Sequence, residues 1–154
     1  MQTESEMLMN ICWFNCMGKD DATGVFDLHN GQLRLRFTQK LADHPTFHLA
    51  ENILRGIATA MNGRYQAFPL WDGMQPFVSR KLVVTHPLGG CPMGDSSSDG
   101  VVNAKGQVYD TQSGGTSVHA GLFIADGSTI PGALAVNPTL SIVAQALRVA
   151  AAVA

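Results

Sequence analysis

The stretch that decides how this chain is read is His86-Pro-Leu-Gly-Gly-Cys-Pro-Met-Gly94. A β-branched run from Lys81 to Thr85 leads into it and predicts a short strand that ends at the histidine. The Gly89-Gly90 pair lets the backbone come close to a planar ligand, because neither residue has a Cβ to hold it off. Toward the C-terminus, Phe123-Ile-Ala-Asp126-Gly127-Ser128 reads as a strand entering a turn, with Leu122 to Ala125 expected to be buried. Val136-Asn137-Pro138 then opens a last helix, Asn137 at the N-cap and Pro138 at the first helical position. Pro138 to Val153 is apolar on nearly every side, which predicts a buried helix.

Toward the N-terminus, Val25 to Leu28 and Leu33 to Phe37 flank His29-Asn30-Gly31. Asn-Gly supplies the positive φ angles of a type I′ turn, so this is a hairpin. Asp43 to Asn62 places Phe47, Ala50, Ile53, Leu54, Ile57, Ala58 and Met61 at helical spacing, with Pro45 in the first turn and Gly63 as the stop. Tyr65 to Arg80 has little periodicity and reads as an irregular segment whose Tyr65, Phe68, Trp71 and Phe77 either line an apolar pocket or pack in the core. Met7 to Met17 is a buried strand or a short helix, periodicity being indecisive at that length. Val101 to Asn103 and Gln107 to Tyr109 flank Lys105-Gly106 as a second small hairpin; Thr111 to Ser117 is a loop, and Asp95 to Asp99 a solvated one.

The 154 residues suffice for one ordinary domain with a core, and 45% of them are hydrophobic. A formal net charge of −2, with charged residues at only 14%, gives no field favouring nucleic acid or an anionic membrane. Such sparse charge suits a surface that something else covers. Cys12, Cys16 and Cys91 form no disulfide framework. Met1 to Met9 has no basic region followed by a long apolar run, and no uncharged stretch approaches the roughly 20 residues of a membrane span. The default placement is cytoplasmic.

The motifs His86-Pro-Leu-Gly-Gly-Cys91, Asp126-Gly127-Ser128 and Val136-Asn137-Pro138 resemble those of the C-terminal part of the glucose-methanol-choline (GMC) flavin oxidoreductases, and most closely the cholesterol-oxidase-like branch. The likeness is specific from about Val83 onward. It implies an α+β architecture: a partial substrate domain over residues 1–85, built from the hairpin and the amphipathic helix, then residues 86–154, which carry the active-site histidine and asparagine and return by strand, turn and helix to an FAD-binding domain. The glycine-rich Rossmann turn is missing, since no two glycines here are separated by a single residue. The resemblance therefore implies a missing N-terminal FAD-binding segment or partner chain.

What the resemblance implies for single residues is definite. His86 is the general base, taking the proton of an alcohol CH-OH as hydride leaves for flavin N5, a role suited to a side chain that titrates near neutrality. Asn137 shares the substrate hydroxyl with it. Asp126 and Gly127 contact the ribityl and phosphate part of FAD, and Asn137, Pro138 and Thr139 meet the flavin ring with a helix start whose free N-H groups suit its negative charge. The other histidines, His29, His44, His48 and His119, are assigned to surface or capping roles, with His119 in a variable loop.

Metal is not expected, because Cys12-x-x-x-Cys16 and His86 with Cys91 have no second pair at structural-site spacing. Gly89-Gly90-x-x-x-Gly94 is no phosphate loop, lacking the Lys-Ser/Thr and losing an N-H at Pro92. A non-catalytic fragment or interaction module, keeping the fold without holding FAD unaided, is the second reading.

Overall fold

The computed structural model describes residues 10–38, 43–67 and 83–153. Their elements are strands β1 (Gly24–His29) and β2 (Gln32–Phe37), helix α1 (Pro45–Ala60), strands β3 (Gln107–Tyr109) and β4 (Val118–Phe123), a 3-10 turn (Gly127–Thr129) and helix α2 (Thr139–Val153). This is a small α+β fold with two two-stranded antiparallel sheets, β1-β2 and β3-β4.

The β1-β2 hairpin turns where Asn-Gly predicts it, with Asn30 at φ 51° and Gly31 at φ 74°. Its register pairs Phe26 with Leu35 and Leu28 with Leu33 on one face, and Val25 with Arg36 and Asp27 with Arg34 on the other. The second face is tied by Asp27, which meets Arg34 at 3.6 Å and also binds Arg36. The apolar face is open: Leu28 is 76% and Leu33 67% exposed.

Helix α1 starts at a His44 cap, whose Nδ1 accepts from the Thr46 N-H at 3.3 Å, with Pro45 following as the spacing requires. It ends one step earlier than a glycine stop implies. Asn62 takes the left-handed conformation at φ 52°, while the Gly63 N-H donates to the Ala58 carbonyl at 2.8 Å and Asn62 N-H to Thr59. This is a Schellman closure with asparagine in the usual glycine place.

The core sits in the C-terminal half, around Val102, Tyr109, Thr129, Ile130 and Val149. Asn103 organises its tight turn: Oδ1 accepts from the N-H groups of Lys105 and Gln107, and Gly106 follows at φ +76°. Helix α2 lies on that turn through Val149 and through Gln145, a 3% exposed side chain whose amide donates to the Ala104 carbonyl at 3.3 Å. A buried amide without that acceptor would cost the helix its seat.

Four expectations need correction. Residues 10–17 are irregular and exposed, not a buried strand or helix, and Met7 to Met9 lie outside the described residues. Val83 to Thr85 form no strand, the backbone there being paired with no neighbouring strand among the described residues. Leu122 to Ala125 is not a buried strand: β4 runs from Val118 to Phe123, carries His119, and leaves Leu122 49% exposed. Helix α2 is covered along one stripe only, with Leu140 84% and Leu147 65% exposed. Residues 68–80 of the expected aromatic segment lie outside the described residues.

Two glycines with similar φ separate strain from crowding. At Gly106 an added Cβ would fall within 2.5 Å of Val149 Cγ2 and 2.6 Å of the Ile124 carbonyl oxygen, whereas at Gly114 (φ +70°) it meets nothing. Gly114→Ala is therefore expected to cost about 1 kcal/mol, from backbone handedness alone, and Gly106→Ala about 3 kcal/mol or more as crowding adds to it. Chemical denaturation of the two variants checks the difference.

Candidate functional site

The His86 turn is held by backbone pairing to the segment after β4. The Cys91 N-H donates to the Ser128 carbonyl and the Met93 N-H to the Thr129 carbonyl, each at 2.9 Å. Met93 is bridged in turn to Val102, which is wholly buried. Asp126 caps the facing 3-10 turn: its carboxylate accepts from the Ser128 N-H at 2.8 Å and from the Ser128 hydroxyl. The hydroxyl first, then that backbone N-H, hold the Asp126 carboxyl below the ordinary carboxylate value. Gly127 sits where a Cβ would meet Ile142 Cδ1 at 3.0 Å and Leu88 Cδ2 at 3.2 Å. Its missing side chain thus lets the His86 turn and helix α2 close on the same point.

Gly89 has φ +78° and lies against the Ile130 and Pro131 carbonyls. Gly90 faces Phe26 and Ser128, so the glycine pair serves packing as well as any approach of a ligand. Beyond it, Gly94 and Gly100 stand back to back, closer than any Cβ allows, and Asp99 ties the loop between them by accepting from the Asp95 and Ser96 N-H groups.

A cavity of about 180 Å³ opens beside His86. Phe47, Val83, Val84, Leu88, Leu134 and Val136 make up its apolar lining beside His86. Polar atoms reach it from Asn15, Asp20, Thr46 and Thr85. His86 is half-buried. Asn137 does not line the cavity, although its neighbour Val136 does. The Asn137 side chain is exposed. It is not the N-cap either: the Pro138 carbonyl accepts the first helical bond, from the Ile142 N-H at 2.9 Å, and α2 begins at Thr139. Proline without an N-H fits at that position as well as at the next one.

The stretch between the 3-10 turn and α2 carries Ala135 at φ 57°, an uncommon value for a residue with a Cβ. It directs Val136 into the cavity wall. Nothing in the sequence marks this alanine. Asn15, Thr46 and Thr85 were likewise invisible, since single polar residues far apart in sequence have no spacing that joins them.

Residues 34–146 match the family model described as GMC oxidoreductase, its C-terminal domain, which is most of the chain. The chain belongs to the GMC oxidoreductases. Over 57 residues, 37% of this chain, it is 33% identical to a long-chain-alcohol oxidase of Arabidopsis thaliana. The matched stretch spans 7% of that relative's length. No solved structure matches the chain significantly.

In a GMC oxidoreductase the cofactor to be tested against these residues is FAD. The first turn of α2 has no acidic residue, and the N-H groups of Thr139, Leu140 and Ser141 precede the first helical hydrogen bond and have no partner among the described residues. Free donors at a positive helix end fit the electron-rich edge of a flavin ring. Asp126 turns one carboxylate oxygen, Oδ1, to Ser128, and its Oδ2 accepts no hydrogen bond among the described residues.

The lowered Asp126 pKa has a pH consequence. Its depressed folded value means that the stabilisation is present above the unfolded value, near 3.8, and is lost as pH falls through the folded one. The stability gap between the wild type and Asp126→Ala, followed by thermal unfolding, is expected to be constant from pH 7 to 5 and to close as pH falls below about 3.8.

Proposed function

We propose that this chain is the alcohol-oxidising portion of an FAD-dependent oxidoreductase acting on CH-OH groups, with His86 as the base. The observation that carries the reading is the half-buried imidazole on an apolar cavity, with the wall residue Val136 leading directly to the donor-rich start of α2. When bound, FAD supplies the acceptor for the hydride of the carbinol carbon. The chain's own residues do the rest. His86 takes the hydroxyl proton on a ring nitrogen as the C-O bond becomes a carbonyl. The resemblance gives Asn137 a share in the substrate hydroxyl, and here it adjoins the cavity through Val136. The free N-H groups of Thr139 to Ser141 hold the negative charge of the reduced ring.

The substrate is an alcohol with an apolar body. The long-chain-alcohol oxidase among the relatives supports that class. A second reading, an interaction module that keeps the fold without retaining FAD unaided, is favoured by the exposed apolar stripe of α2 and by the open face of the hairpin. The absorption spectrum of the purified chain, alone and as part of its full-length protein, separates them: flavin bands in either state support the enzyme.

In the flavin-loaded protein, His86→Ala is expected to slow anaerobic flavin reduction by about 10²–10⁴-fold with FAD content unchanged. Asn137→Ala, at an exposed position outside the N-cap, is expected to slow it less and to leave thermal stability as it was. Stopped-flow reduction at the wild-type rate in His86→Ala would rule His86 out as the base.

A further inference from the structure

The cavity has a wall that the family match does not reach. Residues 15–20 precede the matched stretch, which begins at residue 34, yet Asn15, Cys16, Met17, Gly18 and Asp20 line the cavity that His86 faces. The segment has no helix or strand to hold it there. Three side-chain links do so instead. The Asn15 amide donates to the Thr85 hydroxyl at 3.3 Å, joining the segment to the residue just before His86. The Thr46 hydroxyl donates to the Lys19 carbonyl at 2.7 Å, joining it to the first turn of α1. Asp21 pairs with His44, the cap of that helix, at 3.2 Å. Gly18 completes the seat, because a Cβ there would fall on the Thr46 methyl.

An irregular, exposed segment fastened at both ends to the elements flanking a base is costly to order, and ordering it this way narrows the approach to His86. We propose that the segment from Asn15 to Asp20 is the specificity-determining wall of the His86 cavity, clamped by Asn15-Thr85 and Thr46-Lys19, and that it favours alcohols with an apolar chain that lies along it. This rests on the functional reading above. Met17 and Cys16 add soft, apolar side chains to a lining that also holds Phe47 and Leu134. The volume of about 180 Å³ is below the roughly 300 Å³ at which sites for whole drug-sized ligands begin. It takes the hydroxyl end of an alcohol, and a longer chain runs on along the wall.

The test uses the flavin-loaded full-length protein with Cys12→Ser and Cys91→Ser, leaving Cys16 as this chain's thiol. Its alkylation by iodoacetamide is followed with and without saturating octan-1-ol, in His86 and His86→Ala forms. Octan-1-ol is expected to slow alkylation of Cys16 by about tenfold in both forms, as contact with a chain methylene or two implies. Thr46→Val is expected to weaken that protection and to lower the preference for octan-1-ol over cyclohexanol, measured as the ratio of kcat/KM, by about tenfold, with Thr46→Ser restoring both. Asn15→Ala is expected to give the same change, so that a folding defect at one position does not decide the matter.

Oxidation that depends on His86, with Cys16 alkylated at an unchanged rate and the preference unaltered in both clamp variants, overturns the wall and leaves the functional reading standing. Protection of Cys16 in a protein whose His86→Ala form turns over like the wild type supports the wall and overturns the base. Neither protection nor oxidation overturns both.

Discussion

The pairing of Cys91 and Met93 with Ser128 and Thr129 is the constraint on which the site depends. It fixes the turn that carries His86 against the turn capped by Asp126, and Gly127 then lets Leu88 and Ile142 close over the same point. Backbone hydrogen bonds of this kind contribute only about 1 kcal/mol each to stability. Their larger effect is positional: a histidine in a stretch without a strand of its own becomes part of a frame that reaches the first turn of α2 at Ile142.

Away from that frame the chain is thinly packed. The β1-β2 hairpin is amphipathic with its apolar face in the open, and α2 uses Gln145 and Val149 to dock while Leu140 and Leu147 stay exposed. Exposed apolar faces of this size are unusual for a protein that works alone. They stand beside a sequence in which no two glycines are separated by a single residue, so the glycine-rich dinucleotide turn is not in it.

Local chemistry was legible in the sequence where a residue decides its own conformation. Asn30-Gly31 forced the hairpin, Pro45 and the 3.6-residue apolar spacing marked α1, and Asp126-Gly127-Ser128 marked a capped turn. Burial was less legible. Leu122 to Ala125 and the residues of α2 are apolar, but hydropathy alone does not say which of them the same segment covers. The cap of α2 slipped by one residue because proline suits both the N-cap and the first helical position. The cavity wall at Asn15 to Asp20 was unreadable, since a hydrogen bond across 70 residues between Asn15 and Thr85 leaves no periodic trace.

The frame is tested most directly by native-state amide hydrogen exchange at Cys91 and Met93. If their N-H groups are held by Ser128 and Thr129, they exchange as slowly as the Ile142 amide of α2, within about tenfold, because all three open in one cooperative unit. Exchange of Cys91 and Met93 at the rate of the exposed residues Thr111 to Ser113, with Ile142 still protected, would contradict the account.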